Sequence, residues 1–190
     1  MEENKTDKRV RYTKMFIKES FIKLLKQKPI SKISIKELCD DAEINRTTFY
    51  SHYSDQYDLL RQIEQEVITD FNKYINDHMT CETSETTIQL LIQLLEYAAK
   101  NSDLFEVLLS DNGGTEFQKA LLSITQERLI PSFQNNKNLN ERTLEYLQVF
   151  VIAGMLRIVQ KWLEDGTIES TQQMAELISK LLFKGISSYF

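Results

Sequence analysis

Residues 34–57, SIKELCDDAEINRTTFYSHYSDQY, hold two helix starts of the same design within a few residues of each other. Ser34 precedes Glu37 at the capping-box spacing, and Ile33 and Leu38 are placed to close a hydrophobic staple across that cap. Asn45 is a second N-cap, with Ile44 and Phe49 in the same staple relation. Between them, Cys39 to Glu43 leaves room only for a short turn. Two short helices joined this tightly, the second opening on Arg46, Thr47 and Thr48, read as a helix-turn-helix. In that motif the first residues of the second helix face base edges in the major groove.

The rest of the chain reads as helical too. Apolar residues are 42% of the 190, with only 5 Gly and 2 Pro, which suits a sizeable core of long helices better than a turn-rich β fold. The length admits one large domain, or a small one joined to a medium one. Residues 1–53 carry 12 Lys/Arg against 8 Asp/Glu, a net of +4, and residues 54–190 carry 11 against 20, a net of −9. That asymmetry suits a chain that meets a polyanion at one end only. Cys39 and Cys81 lie in different polar segments and suggest no disulfide framework. The start, MEENKTDKRV, lacks the apolar stretch of a signal peptide, and the longest apolar run, Val149 to Leu156, is too short to span a bilayer. A soluble, cytoplasmic protein with no membrane partner is expected.

Apolar residues at Phe16, Ile17, Phe21, Leu24 and Leu25 predict a helix over 12–28, ended by Pro29. Arg9, Arg11, Thr13 and Lys14 crowd its start, where basic groups oppose the helix dipole, so phosphate contact accounts for them better than helix stability does. Ser54 or Asp55 caps a longer helix over 55–75, and the polar stretch 76–86 breaks the pattern. Further helices are predicted over 88–100, 103–109, 115–130, 141–164 and 170–189, with loops at 110–114 and 134–140 and Gly166 just past a helix end. The fold class is all-α with about nine helices.

On a helical wheel with Phe49 inward, Thr47, Thr48, Tyr50 and Ser51 point outward, Arg46 and His52 flank them, and Tyr53 returns to the core side. These hydroxyls and cations suit phosphates and base edges, with Arg46 able to clamp a guanine. The helix starts at Ser34/Ile35 and Ser54/Asp55 could add backbone N–H contacts to phosphate.

With these residues in place, the chain resembles the TetR/AcrR family of bacterial transcriptional regulators, most strongly over residues 9–63, where Thr48-Phe49-Tyr50-Ser51-His52-Tyr53 matches the family pattern throughout. The resemblance implies a DNA-binding domain over 1–56 and a regulatory and dimerisation domain over 57–190. It implies base-facing roles for Arg46, Thr47 and Tyr50, and phosphate contacts from Arg11, Thr13, Ser34, Thr48, His52 and Gln56. Gln56 stands where the family commonly has a lysine, so its contact is a neutral hydrogen bond and less salt-dependent. Glu43 stands where the turn usually has glycine, and it is expected to adopt positive φ at some cost.

The C-terminal portion is more loosely similar to a regulatory domain frequent in Gram-positive bacteria, through Asn101-Ser102-Asp103-Leu104-Phe105, Phe117, Phe150, Gly154, Trp162-Leu163 and Gly166. It implies dimerisation through the last two helices. Two stripes would form a four-helix bundle with a second copy: Leu147, Val151, Gly154, Met155, Ile158 and Trp162 on one, and Met174, Leu177, Ile178, Leu181 and Leu182 on the other. A dimer suits an operator with half-sites about 34–36 Å apart. The partners expected are double-stranded DNA, a second copy, and a small-molecule effector or partner protein.

Other candidates are weaker. His78 and Cys81 have a helical i, i+3 spacing but no second ligand pair, so neither a metal nor a cofactor is expected. Gly113-Gly114 lacks a P-loop context and reads as a turn. Tyr97, Phe105, Phe117, Phe133, Tyr146, Phe150 and Trp162 could line a small-molecule pocket, although each also suits plain core. No nucleophile–base set suggests an enzyme. The leading expectation is a ligand-responsive homodimeric repressor, in which ligand moves the 55–75 helix and takes the recognition helices off operator spacing. The alternatives are a partner-dependent regulator or coactivator of the same fold, and a helical small-molecule-binding protein or enzyme that only carries a similar hairpin.

Overall fold

The computed structural model describes residues 3–78, 84–110, 112–128 and 140–185. Among these residues the chain forms nine α-helices, one short 3-10 turn and no strand. They are α1 (Glu3–Leu25), α2 (Ile35–Asp41), α3 (Arg46–Tyr50), α4 (Gln56–His78), α5 (Ser84–Lys100), α6 (Ser102–Leu109), α7 (Thr115–Arg128), α8 (Glu141–Glu164) and α9 (Thr171–Lys184), with the 3-10 turn at Ile30–Lys32. α1 begins well before the predicted Tyr12, and α4 runs through the start of the predicted break to His78. Pro29 ends the α1 segment and opens the 3-10 turn, since it has no N–H to continue a helix.

Amphipathic spacing decides which faces meet. Ile17, Phe21 and Leu25 of α1 are buried with Leu38, Phe49 and Tyr53, closing the N-terminal module around α1. α4 is shared: Leu59, Leu60 and Ile63 face that module, while Val67, Phe71 and Ile75 continue into the C-terminal helices. One apolar cluster therefore runs through the protomer, and α4 is the rod that connects its halves. α9 lies against α5, α8 against α6 and α7, and α7 against α4.

Among the described residues, α8 is the one helix long and apolar enough by length and composition to cross a membrane. Here its Ile152, Trp162 and Leu163 are buried in the protomer, and Trp162 donates from Nε1 to the Glu169 carbonyl at 2.9 Å. Gly166, with φ 80°, ends it in the left-handed conformation expected of that glycine.

Candidate nucleic-acid interface and regulatory cavity

The turn between α2 and α3 closes as a Schellman motif. The Ile44 N–H donates to the Cys39 carbonyl at 3.0 Å and the Glu43 N–H to Asp40 at 3.4 Å, with Glu43 at φ 53°. A side chain at that φ costs about 1 kcal/mol relative to glycine, as the sequence led one to expect. Asn45 then caps α3: its Oδ1 accepts the Thr48 N–H at 2.7 Å and the Thr48 hydroxyl at 2.9 Å. Phe49 is fully buried and Tyr53 nearly so, which turns Arg46, Thr47 and Tyr50 to solvent together. Tyr50 is 57% exposed, its ring edge-on to Phe49 at 5.5 Å. Burial pushes the Tyr53 hydroxyl up to about 12, with Glu66 and Asp58 adding to the rise, so it stays neutral.

The phosphate candidates are less uniform. Ser34 is exposed, and its Oγ accepts the Glu37 N–H at 3.2 Å, which leaves its proton for a phosphate. The reciprocal half of the expected capping box is replaced: Lys28 donates to both Glu37 carboxylate oxygens at 2.6 Å, because an ammonium outcompetes a neutral amide. Arg11 is exposed beside the Tyr12 ring, and Thr13 donates its hydroxyl to the Arg9 carbonyl at 2.9 Å. His52 and Gln56 are half-buried, and the Thr48 proton is committed to Asn45. Thr13 and Thr48 thus offer a phosphate their carbon-bound bulk unless the hydroxyl rotates.

At the start of α4 the chain's own carboxylates bond the backbone. The Ser54 N–H donates to Asp58 Oδ2 at 2.9 Å and the Asp58 N–H to Asp55 Oδ1 at 2.7 Å, so Asp55 is the cap and these amides are filled by the chain's own carboxylates. Chiefly the Ser54 N–H holds the Asp58 carboxyl below its ordinary range, and the negative charge stays where a phosphate would approach. Cys39 is buried and burial pushes its thiol up, so it acts as packing. The predicted pair His78 and Cys81 lies outside the described side chains, and no group of three His, Cys, Asp or Glu that could hold a metal occurs among the described residues.

Beneath α4 lies a cavity of about 70 Å³ with an entirely apolar lining drawn from six helices. Phe71 and Ile75 of α4, Leu91 and Leu95 of α5, Phe105 of α6 and Leu121 and Ile124 of α7 contribute, with Met155 and Val159 of α8 and Ile178 of α9 closing it. Of the six described aromatics that could line a pocket or suit plain core, Phe105 lines the cavity and the others do not. Phe117 is buried edge-on to Phe105 at 5.1 Å, Tyr97 lies tilted against Phe71 at 5.4 Å, and Trp162 belongs to the core. Tyr146 and Phe150 are on the surface, and Phe133 lies outside the described residues. Aliphatic residues were missed because a cavity wall and a filled core have the same helical periodicity.

The helices around this cavity match a known pattern. A family model described as a transcriptional regulator C-terminal region, of TetR type, matches residues 85–184. The chain belongs to the TetR family of transcriptional regulators. A curated relative, described as the uncharacterised HTH-type transcriptional regulator YxbF of Bacillus subtilis (strain 168), is 23% identical over 176 residues. That alignment covers 88% of this chain and 45% of the relative, so the chain spans about half the length of the curated protein it matches. Among solved structures, a TetR transcriptional regulator from Streptococcus agalactiae 2603V is 21% identical, with a TM-score of 0.66 over 93% of this chain and 97% of its own. The regulator FadR of Bacillus subtilis, solved in complex with stearoyl-CoA, is 14% identical, with a TM-score of 0.61 over 90% and 98%. These structures share the all-α fold of this TetR-family chain.

The predicted dimer stripes of this TetR-family chain divide between inside and outside. Trp162, Met174 and Ile178 are buried in the protomer, and Met155, Ile158, Leu177 and Leu182 pack against the same core, with Val151 and Leu181 half-buried. Those side chains are largely used before a second copy arrives. The outward face of α8 is instead Tyr146, Val149 and Phe150, 64%, 67% and 72% exposed, with Leu147 at 44% and Gly154 open beside them. α8 is apolar all round over 149–156, so its periodicity there did not single out one side.

Proposed function

We propose that this regulator is a homodimeric repressor that places α3 of each copy in successive major grooves of a palindromic operator and leaves the DNA when an effector fills the cavity. The observation that carries the reading is the row Arg46, Thr47 and Tyr50, held outward by the buried Phe49 on a capped helix behind a Schellman turn. Dimerisation uses the outward face of α8 together with α9, and the protein acts in the cytoplasm. A typical ligand site is roughly 300–1,000 Å³. A cavity of about 70 Å³ therefore has to expand, and the helices it would push apart include α4. Its lining supports an effector with a hydrocarbon portion, as in the stearoyl-CoA bound to the Bacillus subtilis FadR structure.

The test is fluorescence anisotropy of the purified protein on DNA upstream of its own gene, across a salt series with scrambled DNA as control. Specific, salt-sensitive binding with two subunits per site, released by long-chain acyl-CoA or fatty acid, is the expected result. Binding no tighter than to scrambled DNA would overturn direct operator recognition at that site and bring the partner-dependent reading forward. Specific binding indifferent to a series of apolar ligands would overturn the effector class alone.

A further inference from the structure

The glycine pair of residues 113–114, a mere turn by sequence, forms a socket for a buried carboxylate. Glu64, in the middle of α4, is 3% exposed, and its Oε1 accepts the Phe117 N–H of α7 at 3.1 Å. The Glu116 amide makes a second backbone bond to the same carboxylate. A Cβ on Gly114 would stand 2.3 Å from Glu64 Oε1, and one on Gly113 would stand 2.4 Å from the Val107 carbonyl. Gly113 therefore lets the loop fold onto the end of α6, and Gly114 makes room for the carboxylate. The unsatisfied amides and the dipole of a helix N-terminus favour an anion, and here α4 supplies it. The charged side chains nearby are otherwise engaged: Lys119 pairs with Glu116 at 2.8 Å, and Arg61 with Asp58 at 3.6 Å.

We propose that Glu64 is a positioning residue for DNA recognition: seated on the start of α7, it is the joint about which α4 turns, and so it sets where α3 stands. The proposal rests on the DNA-binding reading above. Glu64 lies about 12 Å along α4 from Gln56, at a rise of roughly 1.5 Å per residue. On its other side, Phe71 and Ile75 of α4 and Leu121 and Ile124 of α7 line the cavity. Cavity expansion parts α4 from α7 on one side of a pinned point, and the displacement appears at the DNA-facing end on the other. A buried carboxylate is a poor choice for stability alone, since an apolar residue of similar volume is often as good. Its use at a core position of α4 is explained by a directional joint.

Three variants and a distance measurement test this. Glu64→Leu removes the joint, Gly114→Ala drives a methyl into it, and Glu64→Gln keeps an acceptor for the Phe117 N–H. Spin labels at Ser51→Cys and Gln172→Cys, in a Cys81→Ser background and mixed with excess unlabelled protein so that a dimer carries one labelled copy, report the distance from the end of α3 to α9 by pulsed electron paramagnetic resonance. Wild type and Glu64→Gln are expected to give one narrow distance. Glu64→Leu and Gly114→Ala should broaden or shift it, and lower operator affinity about tenfold or more, while circular dichroism shows them fully folded. Combining Gly114→Ala with Glu64→Ala should cost less than the sum of the single changes, because the methyl then has space. An unchanged distance distribution in folded Glu64→Leu would overturn the joint. If wild type finds no operator, the DNA-binding reading fails by itself, and the distances still decide the joint.

Discussion

Arg46 is exposed and enters no ion pair among the described residues, so its guanidinium is available to DNA. Arg46→Ala should cost about 1–3 kcal/mol of operator affinity and relax preference at one base pair, read by anisotropy on an operator-variant panel. Uniform weakening across the panel would reassign Arg46 to phosphate. Three residues earlier, Glu43 holds a left-handed backbone that glycine adopts without strain. Glu43→Gly is expected to raise unfolding free energy by about 1 kcal/mol in urea titration. For Glu64, burial pushes the carboxyl above its ordinary value of 4.5, the Phe117 amide pulls it back, and the charge of Glu116 adds to the rise. A raised folded value means that the contribution of Glu64 to stability is full below 4.5 and is lost as pH rises through the folded value. The stability of wild type relative to Glu64→Gln should therefore fall between acid and neutral pH, and a rising difference would contradict the assigned burial.

At the scale of elements, the caps were the legible part. Ser34 and Asn45 were placed at their caps from side-chain chemistry and spacing alone, and both bond the amides such caps bond. What the spacing could not show is competition. The Glu37 carboxylate goes to Lys28, a partner from the segment before α2 that arrives only on folding, while the Ser54 and Asp58 amides go to Asp58 and Asp55 within a single turn. Gln56 is therefore flanked by the Asp55 and Asp58 carboxylates, which weaken any phosphate contact it makes. Gln56→Lys is expected to strengthen operator binding and steepen the slope of log affinity against log salt by about one, for one added phosphate contact. A salt slope unchanged from wild type would mean that α4 does not approach the backbone.

For the whole molecule, the exposed aromatic and aliphatic face of α8 is the surface proposed for dimerisation, and it keeps Leu147 and Gly154 of the predicted stripe. Tyr146, Val149 and Phe150 exceed what isolated surface residues explain, and Gly154 beside them lets a second helix approach closely. Phe150→Glu should shift the sedimentation coefficient from dimer towards monomer without loss of helical circular dichroism, and specific operator binding should fall with it. A variant that remains dimeric would move the interface elsewhere on α8 and α9.

The sequence by itself determined the all-α class, the helix-turn-helix with its caps, the strained Glu43 and the outward row of Arg46, Thr47 and Tyr50. Each follows from interactions within one helical turn or across one tight turn, where residue spacing is geometry. Only the tertiary structure decided which side of α8 is buried, which residues wall the cavity, and that Gly113-Gly114 receives Glu64 from 50 residues upstream. Those depend on which helices lie side by side. A helix apolar on several faces, a carboxylate among apolar neighbours and a pair of glycines carry no local mark of their partners until packing brings them together.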